Sequence, residues 1–398
     1  MNAVLKPVAQ AVTEIYHAKY GASGWSGWGQ CAAWEGGGAA TIYAAVGSVI
    51  HEVSAECLTS GAQASSYIGK VYKSDGFTIT FDDEHADTAQ KYINTCRDVH
   101  KTVGGTMLVE QTLAIDHITG EAGAKSTTDF GIIPPPSGTE MVVADLKTGA
   151  GIAVDAQDNG QLAIYALSML DEYGLVADIK TVRMMIIQPP LNSVSEWVQT
   201  VEQLEEFRVK VTAAATAALA PNPVATPGDK SCRWCSKKAT CEALRDEVFE
   251  AVESVDPADV ATDDLSVAMG KADMIEAWLK AIRAETERRL LDGRAVRGFK
   301  LVAGKRGNRK WTSEAEAEAM LKTMRVKHDA MYDYKVVSPT TAEKLAAADV
   351  IGARQWPKLK ALITQSDGKP SVAEENDKRP ALVISADEFQ PIEVGVPE

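Results

Sequence analysis

Apolar residues recur at helical spacing over residues 44–60, where Val46, Val49, Ile50 and Val53 form one stripe with His51 beside it. A second helical pattern covers residues 84–101. Three strand-like runs follow, at residues 106–115, 126–133 and 140–147. The last two are separated by Pro134-Pro135-Pro136-Ser137-Gly138. Proline fixes the backbone there and glycine permits positive φ, so the segment reads as a hairpin loop. An apolar helix is predicted over 156–173, a strand over 181–188 and a further helix over 203–219. Strands alternating with helices predict an α/β fold with a mixed central sheet flanked by helices.

The flanking segments differ in character. Residues 1–40 are an aromatic and glycine-rich lead-in, and the pattern changes after about Asp246. An acid-rich stretch at 256–265 reads as a linker or first turn, and helical periodicity runs over 265–291. Ser338-Pro339 has the form of a helix start, with the serine as N-cap and the proline in the first turn. The expected division is a core over 1–250 and a mainly helical α+β accessory domain over 251–398, with a polar tail from Asp367.

The candidate chemistry lies on the central run. Side chains alternate across a strand, so Asp145 and Lys147 project to one face while Leu146 points to the other. The hairpin lets Asp129 face Asp145 across adjacent strands. Two carboxylates held that close repel unless a divalent cation lies between them, and hard oxygen ligands suit magnesium or manganese. The ordinary alternative is a hairpin with two solvated acids. On the following helix Gln161 and Tyr165 are four residues apart on one face. That polar pair in an apolar helix needs partners, which a phosphate or an active-site lysine would supply.

In chain order these pieces read Gly47-x-x-x-His51, Asp129, Asp145-x-Lys147, Gln161-x-x-x-Tyr165. Together they resemble the RecB-like branch of the PD-(D/E)XK nuclease superfamily. The resemblance implies a restriction-endonuclease-like core, with His51, Asp129, Asp145 and the Leu146 carbonyl as metal ligands. It implies that Lys147 orients the attacking water or stabilises developing charge, and that Gln161 and Tyr165 support the lysine and the DNA backbone. Glu110, in the run Met107-Leu108-Val109-Glu110-Gln111, is a further candidate ligand or supporting acid. Thr128 stands where the family has proline before the first acid.

Cysteines supply a separate signal: Cys232-Arg233-Trp234-Cys235 is followed by Cys241, and Cys31 lies far upstream. Three closely spaced thiols leave one position open on a four-ligand centre, which Cys31 could fill. One remote cysteine plus a trio resembles the iron-sulfur staple of AddB-type and CRISPR-adaptation nucleases. That resemblance implies a [4Fe–4S] cluster, while four cysteines suit zinc equally. Cys57 and Cys96, in helical stretches, read as buried thiols. The segments Ile187-Gln188-Pro189-Pro190, Cys232-Arg233-Trp234-Cys235 and Gly298-Phe299-Lys300-Leu301-Val302 further resemble an uncharacterised phage-encoded family of the same clan.

Composition narrows the picture. The chain has 398 residues, 45% hydrophobic and 24% charged, which is globular rather than disordered. No run approaches the roughly 18 apolar residues of a membrane span, and the first residues lack a signal-peptide pattern, so a cytoplasmic protein is expected. A net charge of −14 argues against nonspecific coating of DNA. Contact would be local, and residues 294–311 offer seven basic side chains, no acids, and Phe299 and Trp311 for stacking. The same stretch also reads as a basic hairpin facing the acidic remainder of the protein. Gly120-Glu121-Ala122-Gly123-Ala124-Lys125-Ser126 fails the spacing of a phosphate loop, and no Gly-x-Ser-x-Gly elbow occurs.

The expected function is a metal-dependent DNA nuclease, an exonuclease of phage replication or recombination. Its expected partners are DNA ends and a phage single-strand-binding or recombination protein. The alternative is a catalytically silent DNA-binding or scaffold protein that keeps the nuclease fold.

Overall fold

The computed structural model describes residues 4–5, 18–38, 40–253, 262–300, 302, 314–325, 327–328, 332 and 337–363. The chain divides into two compact units, Met1–Val302 and Ala303–Glu398. The first unit therefore runs past the cysteine trio. It takes in α8 (Glu242–Glu253), α9 (Thr262–Gly270) and α10 (Ala272–Leu291). The single periodic stretch read at 265–291 is thus two helices, broken at Lys271. In the second unit the described helices are Glu314–Thr323, Pro339–Ala347 and Trp356–Lys360. Ser338 caps the middle one by accepting from the Thr341 N–H at 3.2 Å, and Pro339 occupies its first turn.

A mixed α/β core fills the first unit. Its sheet has the order β1-β4-β5-β6-β7-β8. β1 is the two-residue edge Val4–Leu5, parallel to β4 (Thr106–Ala114). β5 (Lys125–Ile133) and β6 (Glu140–Leu146) follow as an antiparallel hairpin over the proline loop. A crossover through α5 (Gly160–Tyr173) brings β7 (Thr181–Gln188) parallel to β6. β8 (Ser193–Thr200) closes the far edge and was not expected from the sequence. Its half-solvated run Ser-Val-Ser-Glu-Trp-Val-Gln-Thr lacks the continuous apolar character of the other strands.

Alternation along the strands builds two cores. Val142, Ala144 and Leu146 point to the face covered by α2 (Ile42–Ser60), α3 (Asp83–Val103) and the hairpin β2 (Val71–Ser74) and β3 (Phe77–Thr80). Met141 and Val143 point to the face covered by α5 and α6 (Val201–Ala218). The apolar stripe read at residues 44–60 is real: Val49, Ile50 and Val53 are buried against the sheet. α5 begins at Gly160 rather than near Ala156, because Asn159 accepts from the Leu162 N–H at 3.2 Å and caps it there. Gly160 also has no room for a side chain, since an added Cβ would meet the Trp25 ring at 2.0 Å.

The strand pairing decides where the site forms. β4 and β5 pair from Thr106↔Ile133 to Ala114↔Lys125, whereas β5 and β6 pair only from Ile132↔Val142 to Phe130↔Ala144. Beyond Ala144 the two strands part while β6 stays paired to β7 as far as Leu146↔Ile187. The fork exposes backbone groups that a continuous ladder would have satisfied.

Candidate active site

Asp129 stands in that fork and takes over the missing ladder bond. Its Oδ2 accepts from the Leu146 N–H at 2.8 Å and lies 3.4 Å from His51 Nδ1. His51 Nε2 is 3.1 Å from the Leu146 carbonyl oxygen. Both backbone groups of Leu146 therefore face side chains predicted to act with it. His51, Glu110 and Asp129 each bring a donor atom to a common spot, all within 4.8 Å of one another. Among the described residues no cysteine trio converges in this way.

Glu110 reaches that spot by an unusual backbone. Its φ is +49° in the middle of β4, a left-handed conformation that a glutamate rarely adopts, while the pairing stays in register on both sides. Nothing in the sequence run signals this kink.

Asp145 lies outside the trio, on the α5 side of β6. Lys147 Nζ ion-pairs with its Oδ2 at 2.7 Å, at an angle that leaves this oxygen without a hydrogen bond. Asp145 Oδ1 accepts from Gln161 Nε2 at 3.1 Å, and the same nitrogen donates to Tyr165 Oη at 2.7 Å. Gln161 Oε1 is thereby presented to Lys147, which donates to it at 3.0 Å. The structure thus brings together all the candidate side chains, in two adjoining groups that share β6.

Electrostatics follow from this crowding. For His51, burial favours the neutral ring, but the hydrogen bond with Asp129 and the charges of Asp129, Glu110 and Asp145 outweigh it and push the pKa up to about 9. Burial, then the Asp129 charge, raises Glu110 to about 7 against the pull of His51. Burial also raises Asp145 to about 6, although the Lys147 charge opposes it. Burial pushes the Tyr165 phenol well above its usual range. Such a packed set of acids and one imidazole competes for protons in place of a cation. The donor chemistry, one imidazole with carboxylates and a carbonyl, fits a hard divalent ion.

A cavity of about 790 Å³ opens onto the group, lined by Tyr43, Gly47, His51, Glu110, Lys147 and Thr148 among others. Gly47 keeps α2 close to the loop after β6, for an added Cβ would meet Thr148 Oγ1 at 2.9 Å. A residue the sequence reading did not single out for the site, Gln188, shapes the same loop. It is buried at the end of β7, donates from Nε2 to the carbonyls of Gly149 and Ile152 at 2.6 and 2.8 Å, and accepts from the Val154 N–H at 3.0 Å. A glutamine closing an apolar strand just before Pro189-Pro190 is the signal that was available.

Four of the cysteines lie elsewhere in the same unit. Cys31, Cys232, Cys235 and Cys241 all line one cavity of about 390 Å³. Cys31 Sγ accepts from the Thr226 N–H at 3.3 Å and Cys232 Sγ from the Gly228 N–H at 3.5 Å. The two chain segments are tied by protein contacts as well. The Ser236 N–H donates to the Glu35 carbonyl at 2.8 Å, and Lys237 ion-pairs with the Glu35 carboxylate at 2.5 Å. Cys57 and Cys96 are fully buried, as read. Of the basic stretch 294–311, residues 301 and 303–311 lie outside the described residues. Its described part has exposed Phe299 bridged to Val296, and Arg294 paired with Asp292.

Residues 17–380 match the model of the family described as Protein of unknown function (DUF2800). The chain belongs to this family. Among solved structures, the one described as "Crystal structure of SSO0001" is similar to 41% of this chain across 79% of its own, at 13% identity and a TM-score of 0.22. The chemistry of this DUF2800 member therefore rests on its own residues. Among the described residues no helix is long and apolar enough to cross a membrane.

Proposed function

We propose that the chain is a divalent-metal-dependent deoxyribonuclease of the PD-(D/E)XK type, an exonuclease acting in phage DNA replication or recombination. The observation that carries this reading is the convergence of His51, Glu110 and Asp129 within 4.8 Å beside a lysine held by an acid and an amide. His51, Glu110 and Asp129 would hold the cation with the Leu146 carbonyl, while Asp145 holds Lys147 beside them. A cation bound there supplies charge neutralisation at the phosphate and a lowered pKa for a coordinated water. A histidine in the set favours manganese over magnesium.

The chain's own residues do the rest. Lys147 carries a positive charge into the cavity next to the carboxylates and is placed to orient a water or offset charge on a phosphate oxygen. Asp145 and Gln161 hold that ammonium in place, and Tyr165 fixes which way the Gln161 amide points. Asp129 holds the Leu146 N–H, and the Leu146 carbonyl that faces His51 is set by its own peptide, whose Lys147 N–H donates to the Ile187 carbonyl at 2.9 Å.

At the four cysteines, which line one cavity, the proposed group is a [4Fe–4S] cluster, with zinc as the alternative. Sulfur acceptors of backbone N–H bonds are the surroundings such a cluster uses.

The test is hydrolysis of linear and circular DNA with manganese, magnesium or chelator, by the parent and by Lys147→Ala. Loss of about 10²–10⁴-fold in rate with metal binding retained is expected, the usual contribution of a positioned proton-transfer or charge-stabilising group. A Lys147→Ala protein that degrades DNA at the parental rate removes the assignment. Cleavage of circular DNA as fast as linear DNA replaces the exonuclease with an endonuclease.

A further inference from the structure

We infer that Tyr43 is a stacking platform for an unpaired nucleobase, so that the cavity takes single-stranded rather than duplex DNA. This rests on the nuclease reading above for its ligand class. Tyr43 is 85% exposed and belongs to neither core, yet its ring stands at the rim of the cavity that holds His51, Glu110 and Lys147. An aromatic ring in that position contributes little to folding.

Its place on α2 is specific. Tyr43, Gly47 and His51 are spaced four apart and share one face of the helix. Gly47 between them is buried beneath Thr148, so it adds no side chain to the face that carries the ring and the imidazole. Eight residues of helix span about 12 Å, the reach of roughly two to four nucleotides. A strand crossing the mouth of the cavity can therefore put a phosphate beside His51 and a base on Tyr43.

Charge gives a second reason. The protein carries a net charge of −14, and Glu52 and Glu110 line the cavity, to which Lys147 contributes the one lysine or arginine side chain among its described lining. Lysine and arginine contacts, which usually supply most nucleic-acid affinity, are scarce there. Base stacking does not depend on charge and suits an acidic surface. It also selects: a base already stacked and paired in a duplex is not free to cover the ring, whereas an unpaired one is.

The test is binding of a fluorescent oligothymidylate, an abasic strand of equal length and a duplex to the full chain, with Ca²⁺ in place of Mg²⁺ to keep the strands intact. Tyr43→Ala should weaken binding of the oligothymidylate about tenfold, within the fivefold to hundredfold range of base–aromatic contacts. Tyr43→Trp should retain it, and the abasic strand should bind the parent as weakly as the oligothymidylate binds Tyr43→Ala. The loss should be the same at low and high salt, because no counterions are released. Unchanged binding by Tyr43→Ala, an equal loss on duplex, a loss that vanishes in high salt, or a parent that binds no single strand overturns the inference. Failure of the nuclease reading shows separately, as a parent that binds the strand through Tyr43 but never cleaves it with manganese.

Discussion

Asp129 is the residue on which the site turns, since one carboxylate both replaces a lost ladder bond and faces the imidazole of His51. The raised values of His51, Glu110 and Asp145 make the metal-free group hold protons near neutrality. With His51 at about 9 and Glu110 at about 7, a cation binding at pH 7 must displace roughly one to two protons. Both groups bind metal only when deprotonated, so affinity should climb as pH rises from 6 toward 9 and then level off. The slope should approach tenfold per pH unit for each proton displaced. Calorimetry of manganese binding across that range, in buffers of different ionisation heat, reads both the slope and the proton release; a flat profile contradicts the site. The pairing of Asp145 with Lys147 was legible from strand alternation alone, and Gln161 with Tyr165 from helical spacing. Glu110 was named as a candidate ligand from its run, but the left-handed φ by which it reaches the site was not legible, because no local propensity favours it.

Elements reach the site through one loop. Residues 147–159 lead from the end of β6 to the start of α5, so this loop sets how Lys147 and Gln161 meet. Gln188 clamps it with three hydrogen bonds to backbone groups, and Ser195 Oγ adds another by accepting from the Ala156 N–H at 3.0 Å. Gln188→Leu keeps the volume but strands those groups, each costing about 1–3 kcal/mol if left unsatisfied. The expected outcome is faster amide exchange at Gly149–Val154 and a drop in turnover larger than the rise in KM, with the sheet's protection retained. Unaltered exchange in that loop would show that the clamp does not hold it. Glycine has a comparable role at Gly160, where Trp25 crosses the first turn of α5. The central strands and the helices on both faces were readable from apolar periodicity. β8 and the β2–β3 hairpin were not, because half-solvated edge strands present too few apolar positions to stand out.

At the scale of the whole chain, the closure between Cys31 and the trio near residue 235 is the longest-range link tied to proposed chemistry. The protein contacts of Glu35 with Ser236 and Lys237 already hold the two ends together, so a bound cluster would lock an arrangement the fold prefers. Removing Cys31 or Cys235 by serine should lower bound iron per chain by more than half and lower Tm, since a metal bound only by the folded state stabilises it. Anaerobically purified parent should be brown, with a broad band in the visible blue. A colourless parent carrying one zinc per chain would exchange the cluster for zinc, and metal content unaffected by both serine variants would remove the centre altogether. The sequence by itself determined the α/β class, the order of the central strands and helices, and which acids, lysine, amide and thiols were available, because periodicity and residue type are local properties. Only the tertiary structure decided where β5 and β6 part, that Leu146 turns both its backbone groups to Asp129 and His51, by what backbone turn Glu110 reaches them, and that Gln188 clamps the loop beside them. Those facts depend on pairing and packing between residues far apart in the chain, which no short stretch of sequence encodes.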